Sequence, residues 1–280
     1  MDIADSGTRK LALLIEYNGE QFHGFQLQSN AWTVQAALEK ALHTITGEHN
    51  RLQGASRTDA GVHAWGQVTA FTTKSAHRPE TFVSALNFHL SGGAAVQGAS
   101  EVDRKFDPRR DAISRSYRYV VLNRETPSPL AVKHSLWVRD ALDVRAMHRA
   151  AQELVGRHDM ASFSGPLSDP QKSTMRQVFG TDVSSAGEYV QFDIEANAFL
   201  PQQVRRTMGV LLAIGKGKLS PDSVGILLEH PRIGAADTPV PPQGLYLMNI
   251  SYPEHMLTFS HRHDRLHSLP LLAGVAGSRE

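Results

Sequence analysis

The order of elements in the first half of the chain returns in the second, and that repetition limits the fold more than any other feature. Residues 10–17 form an apolar run ended by Asn18-Gly19, which reads as a buried strand closed by a turn. Between residues 33 and 47, Val34, Leu38, Ala41, Leu42 and Ile45 recur at helical spacing, with Thr33 suited to cap the start and Gly47 the end. Residues 66–73 are strand-like, and 79–90 read as a second amphipathic helix with Pro79 in its first turn. Apolar density then drops between about residues 98 and 112, and the grammar resumes. Residues 116–122 read as a strand, and 143–156 as a helix capped by Asp143 with Met147, Ala151 and Leu154 inward. Residues 189–197 alternate, with Val190, Phe192 and Ile194 on one face and Gln191, Asp193 and Glu195 on the other. A helix over 200–214, a short one opened by Ser220-Pro221 and a strand over 245–252 complete the pattern.

Strands and helices are interspersed without strict alternation, so the expected class is α+β rather than a parallel doubly wound sheet. At 280 residues the chain has room for two medium domains. The expected division is 1–105 and 106–255, with two similar halves whose sheets meet around a cleft. Residues 256–280 have no convincing period and are expected to be loosely ordered. Trp32, Trp65 and Trp137 are expected in the core or at an interface.

The chain has no cysteine, which excludes disulfides, thiolate metal sites and cysteine nucleophiles and fits a reducing compartment. No apolar run approaches the roughly 20 residues of a membrane span. The N-terminal residues are polar and mixed in charge, unlike a secretory leader. With 29 basic and 28 acidic residues, net charge alone points to no partner. The distribution is more informative. Arg104, Lys105, Arg109, Arg110, Arg115 and Arg118 crowd together with only Asp107 and Asp111 among them. Period two puts Arg115, Tyr117 and Tyr119 on one face of a strand, and a face of guanidinium groups and rings suits phosphates and unstacked bases. The plainer alternative is a solvated linker followed by a strand with buried tyrosines. Arg205, Arg206, Lys216 and Lys218 form a smaller group that alone reads as a solvated helix face. His261, His263 and His267 cluster near the end, where adventitious metal binding is the expectation.

The densest chemical signal is residues 54–64, GASRTDAGVHA, between two strand-like stretches. Small residues surround one carboxylate, Asp59, and Gly61 permits a tight turn two residues on. A carboxylate so placed suits a nucleophile or a general base, with Thr58 orienting it. The same spacing also suits an Asx turn whose aspartate bonds its own backbone. His63 reads as a structural, hydrogen-bonded residue of the loop.

Residues 57–64, RTDAGVHA, resemble the signature of the TruA-type tRNA pseudouridine synthases. The likeness continues in order through Tyr17-Asn18-Gly19, the run from Phe22 to Gln28, Thr33-Val34-Gln35 with Leu38-Glu39, Phe106 with Arg109 and the Arg115 to Tyr119 strand, Asn197-Ala198-Phe199-Leu200 with Val204-Arg205, and Gly244-Leu245-Tyr246-Leu247. The resemblance implies the pseudouridine synthase fold, two α/β-sandwich halves with antiparallel-rich sheets. It also implies conversion of uridine to pseudouridine in the tRNA anticodon stem-loop at tRNA positions 38, 39 and 40, without cofactor or metal, by a cytoplasmic homodimer. Asp59 would be the essential carboxylate. Tyr117 would stack on the uracil, and Arg205 would pair with Asp59. Arg57 would fill the space left by the flipped nucleotide or hold its phosphate, Thr58 and Leu245 would help shape the pocket, and the basic zone would hold tRNA backbone. Ser56 and Pro201-Gln202-Gln203 depart from the family's usual residues. A non-catalytic tRNA-binding or tRNA-folding protein, and a small-substrate hydrolase using Asp59, are the other readings the residues allow.

Overall fold

A computed structural model of the chain describes residues 7–90, 92–169, 171–236 and 238–259. The fold is α+β. Its first elements are β1 (Arg9–Tyr17), α1 (Val34–Thr46), β2 (Gln53–Gly54), β3 (His63–Thr73), α2 (Pro79–His89) and β4 (Ala94–Val102). There follow β5 (Ser114–Asn123), β6 (Leu136–Val138), α3 (Val144–Gln152), β7 (Gly156–Asp159), β8 (Met175–Ala186) and β9 (Tyr189–Ala196). The last are α4 (Gln203–Gly215), α5 (Ser223–Glu229) and β10 (Leu245–Ser251). The chain divides into two compact units. One holds the described residues up to Ile113 and those from Leu247 onward; the other runs from Ser114 to Tyr246.

In the first unit β1 is antiparallel to both β3 and β4, β2 pairs with β3, and β10 is the other neighbour of β3. Leu11, Leu13 and Ile15 of β1 are fully buried, each worth about 1.5–3 kcal/mol of transfer from water. Helix α1 starts and stops where its ends are chemically satisfied. The Ala36 amide donates to Thr33 Oγ1 at 3.2 Å, and Gly47 takes the left-handed conformation (φ 70°) that returns its amide to the His43 carbonyl. Its buried face carries Val34, Leu38 and Leu42. Helix α2 adds Phe82 and Leu86, and the Phe82 ring meets Phe71 edge-on at 5.5 Å.

In the second unit β9 pairs antiparallel with β5 and β8, β7 pairs with β8, and β6 lies parallel to β5. Burial along β9 follows the period-two expectation, with Val190, Phe192 and Ile194 inward. The Ala146 amide donates to Asp143 Oδ1 at 2.9 Å and fixes the start of α3, whose Met147 and Ala151 are buried. Helices α3 and α4 approach so closely that a Cβ on Gly215 would stand 2.5 Å from Met147 Sδ.

The structure departs from the sequence expectations in three places. The division falls after Ile113, not after residue 105, because the intervening loop is tied to the first unit. The Ile113 amide donates to the Ser251 carbonyl at 2.8 Å, and the Phe106 ring lies 5.3 Å from that of Tyr252. Because β10 returns to the first unit from Leu247, that unit is discontinuous in sequence. Helix α4 begins at Gln203 rather than at residue 200, since Gln202 sits at φ 58° and interrupts the helical run. Strands β4 and β8 lack the apolar alternation that marks a strand; in β8 only Val178 and Val183 are buried. Of the tryptophans expected in the core or at an interface, Trp32 and Trp137 are exposed on this chain and so lie outside its core. Residues 260–280, with His261, His263 and His267, lie outside the described residues, while Phe259 packs on Gly98 of β4. Among the described residues no helix is long and apolar enough to cross a membrane.

Gly66 of β3 lies under β10, where a Cβ would stand 2.5 Å from the Met248 carbonyl oxygen. Gly66→Ala is therefore expected to cost about 1–3 kcal/mol, seen as a lower urea midpoint. An unchanged midpoint would show that β3 and β10 can separate freely.

Candidate active site

The loop between β2 and β3 is held from beneath by side chains and backbone that the sequence places well before and after it. Gln67, fully buried on β3, donates Nε2 to the Ser56 carbonyl at 2.7 Å and accepts the Ser56 amide at 3.2 Å. Tyr17, at the end of β1, sets its hydroxyl 2.7 Å from Thr58 Oγ1, and Gln67 Nε2 reaches the same hydroxyl at 3.4 Å. The Phe25 amide donates to the Thr58 carbonyl at 3.1 Å. The Gly19 amide donates to His63 Nδ1 at 3.1 Å, which requires that nitrogen to be unprotonated. His63 is thus a buried structural residue, as its sequence context indicates.

Two glycines make this contact possible. A Cβ on Gly19 would stand 2.1 Å from the Val62 carbonyl oxygen, and one on Gly24 (φ 85°) 2.8 Å from that of Thr58. The loop therefore lies directly on the backbone of residues 19–25, which explains the physical role of the Tyr17 to Phe25 motif. Above this floor the Val62 amide returns to the Asp59 carbonyl at 3.2 Å, with Gly61 at φ 79°. Thr58 and Val62 are buried, whereas Arg57 and Asp59 are exposed. The local geometry turns one carboxylate and one guanidinium outward from a fixed backbone, an arrangement suited to nucleophilic or general-base chemistry on a bulky substrate. Ser56 is held through its backbone, whose amide and carbonyl are those bound by Gln67.

Tyr117, Arg205 and Leu245 lie in the second unit. Tyr117, opposite Ile194 in the β5–β9 register, is buried, and its ring meets Phe199 edge-on at 5.0 Å. Arg205 on α4 donates Nε to the Val240 carbonyl at 2.7 Å, while its own carbonyl accepts the Val240 amide at 3.3 Å. Burial pushes the Tyr119 phenol well above its usual range although the nearby Arg205 charge acts the other way, so the neutral hydroxyl donates to the Pro241 carbonyl at 2.6 Å. Leu245 is buried directly after Gly244, whose hydrogen is all that fits beside the Tyr119 ring.

The basic zone separates into two kinds of residue. Arg104, Lys105, Arg109 and Arg110 are exposed on the loop after β4. Their backbone is fixed by acids: Asp103 accepts the Lys105 amide at 2.7 Å, and Asp107 accepts the amides of Arg109 at 2.9 Å and Arg110 at 3.0 Å. Burial alone would raise the Asp107 carboxyl, but those amides and the Arg110 and Lys10 charges outweigh it and hold it below the usual carboxylate range. Its contribution to stability is thus present above that range and lost as pH falls through the lowered value. Arg115 and Arg118, by contrast, are engaged within the fold. Arg115 is buried and donates Nη1 to the Asn197 carbonyl at 2.7 Å. Arg118 makes a two-pronged pair with Asp193, its cross-strand neighbour, at 2.8 and 2.9 Å. The face carrying Arg115, Tyr117 and Tyr119 is turned inward rather than offered to solvent. In the smaller basic group, Arg206 donates to the Ala236 carbonyl and Lys216 pairs with Asp140, so it forms no separate patch. Among the described residues no group of three acidic or histidine side chains could hold a metal ion.

The loop and the α4 motif both fall within the segments matched by the family model described as tRNA pseudouridine synthase, residues 13–109 and 150–253. A protein from Geotalea daltonii named tRNA pseudouridine synthase A is 39% identical over 244 residues, 87% of this chain and all of that one. Others of the same name, from Roseiflexus castenholzii (42% identical, 88% of this chain and 92% of that one) and Sinorhizobium fredii (38%, 86% and 98%), match comparably. The chain belongs to the tRNA pseudouridine synthase family. The synthase carries Asp59, Arg205 and Leu245 inside the matched segments, while Tyr117 lies between them.

Sequence spacing pointed to Asp59 but not to its support. Gln67, the Tyr17 hydroxyl and the His63–Gly19 bond could have been suspected from one signal only, polar side chains at strand positions otherwise filled by apolar ones. Tyr17→Phe removes the hydroxyl shared by Thr58 and Gln67. It is expected to cost about 1–2 kcal/mol of stability and to slow pseudouridine formation at saturating substrate. Unchanged values of both would show that the loop does not depend on that hydroxyl.

Proposed function

We infer that the chain converts uridine to pseudouridine in the anticodon stem-loop of tRNA, at tRNA positions 38, 39 and 40, with Asp59 as the essential carboxylate. Family membership supports the reaction, and the observation that carries the reading is the exposed Asp59 on a loop held through Ser56 and Thr58.

The isomerisation breaks the N1–C1′ bond, turns the uracil, and joins its C5 to the ribose C1′; C5 loses its proton and N1 takes one up, so the product is an isomer. A uridine in a stacked stem must first be flipped out, at a cost of a few kcal/mol. Arg57, exposed two residues before Asp59, occupies the vacated stack or holds the flipped nucleotide's phosphate. Asp59 attacks C1′ or removes a C2′ proton; both routes need an ionised carboxylate within bonding reach of the sugar. Thr58 fixes the loop for this step, Tyr117 stacks on the detached base, and Leu245 closes the apolar side of its pocket. Arg205 is assigned, with Asp59, to the same nucleotide. Arg104, Lys105, Arg109 and Arg110 hold tRNA backbone, a role their exposure and rigid backbone support. Arg115 and Arg118 contribute by fixing the tyrosine strand. The enzyme acts in the cytoplasm as a homodimer.

Asp59→Asn keeps the size of the side chain and removes its charge. It is expected to lower pseudouridine formation in the anticodon arm by about 10²–10⁴-fold, read by mass-spectrometric mapping, with tRNA affinity retained. Substantial remaining activity would overturn the assignment.

A further inference from the structure

The second unit contains a cleft of about 440 Å³ that shares no residue with those assigned above. Ala161, Leu167, Lys172, Thr174, Pro231 and Ile233 line it. Its walls are braced. The Gly234 amide donates to the Ala161 carbonyl at 3.3 Å, the Ala236 amide to that of Ser162 at 2.8 Å, and the Arg232 amide to Ser162 Oγ at 3.2 Å. The apolar lining includes Ile233, which is half exposed, so a face suited to a flat ring is left open to solvent.

One cation is part of the lining. Lys172, at the end of the turn that its amide closes on the Asp169 carbonyl, and Thr174 line the cleft, and Arg176 follows two residues on in β8. Arg176 is held by its Nη1, which donates to the carbonyls of Ser173 at 2.8 Å and Met175 at 2.7 Å. Its Nε is buried with no hydrogen-bond partner, an unusual state for a guanidinium that is itself half-buried. Asp159 is the carboxylate whose charge bears on it, and the two form no ion pair. Arg232, between the lining residues Pro231 and Ile233, is exposed. The neighbouring acid, Asp169, is engaged by the Gln171 amide at 3.0 Å. An apolar slot lined by the exposed Lys172 matches one ligand chemistry: a nucleobase with its phosphate.

We propose that this cleft is a second nucleotide subsite for the RNA substrate, with a base against Ile233 and Pro231 and a backbone phosphate on Lys172. The proposal rests on RNA being the substrate, and it gives the second unit a contact with RNA away from the reacting uridine.

Two variants of the full chain test its two halves by direct tRNA binding, a readout that needs no catalysis. Lys172→Glu alters an exposed side chain and is expected to weaken tRNA binding about tenfold, with the slope of log affinity against log salt falling by about 1. Ile233→Ala is expected to weaken binding about fivefold with the salt slope unchanged. Both should raise KM for tRNA and leave kcat within about twofold. Lys218→Glu, an equal charge reversal at an exposed residue elsewhere in the unit, controls for general electrostatics. Wild-type affinity in both test variants, as a cleft for a free nucleotide would give, overturns the proposal. So does an equal loss with Lys218→Glu, or an effect of Lys172→Glu without one of Ile233→Ala. A wild-type chain that binds tRNA but forms no pseudouridine contradicts the proposed function and leaves the binding test intact.

Discussion

A single buried hydroxyl links the first strand to the candidate catalytic loop and to the strand that follows it. The Tyr17 side chain, from β1, meets Thr58 of the candidate catalytic loop and Gln67 of β3. In a dry interior each of these polar groups would be costly alone, so satisfying all three defines one position for the loop. Gly19 and Gly24 let the loop settle onto backbone at contact distance, and the His63–Gly19 bond closes the far end. The exposure of Asp59 follows from this arrangement. Thr58 and Val62 are turned down, and the turn between them leaves the carboxylate outward.

The fixed loop suits a reaction in which the substrate must be rearranged while it is held. A carboxylate that engages a ribose cannot wander during base rotation, because an error near 1 Å can cost about 10²-fold in rate. The same economy appears in the basic loop after β4. Acidic side chains there spend their hydrogen bonds on backbone amides, so the cations beside them project from a stiff support. Held in this way, Arg104, Lys105, Arg109 and Arg110 lose less freedom on meeting phosphate than the same residues on a mobile tail would.

Much of the fold was legible because the helix ends carry their own chemistry. Thr33, Gly47 and Asp143 stand where capping requires them, and β9 alternates as a half-buried strand should. Strands β4 and β8 were not legible, because their ladders come from partners rather than from their own apolar side chains. Asn87, for example, bonds both the amide and the carbonyl of Val96. The start of α4 was hidden by the positive φ of Gln202, which a non-glycine residue does not advertise. In the site, Asp59 stood out because small residues surround it. The inward turn of Arg115 and Arg118 could not be seen, since it depends on Asn197 and Asp193 across the β5–β9 ladder.

Asp59→Glu keeps the charge and moves the carboxylate outward by one methylene, about 1.5 Å. The measurement is the single-turnover rate of pseudouridine formation at saturating tRNA. If the Tyr17–Thr58–Gln67 support fixes the reach of this group, the rate falls at least about 10²-fold while tRNA affinity holds. A rate within a few-fold of wild type would mean that the loop adapts, and that its buried scaffold does not set the chemistry.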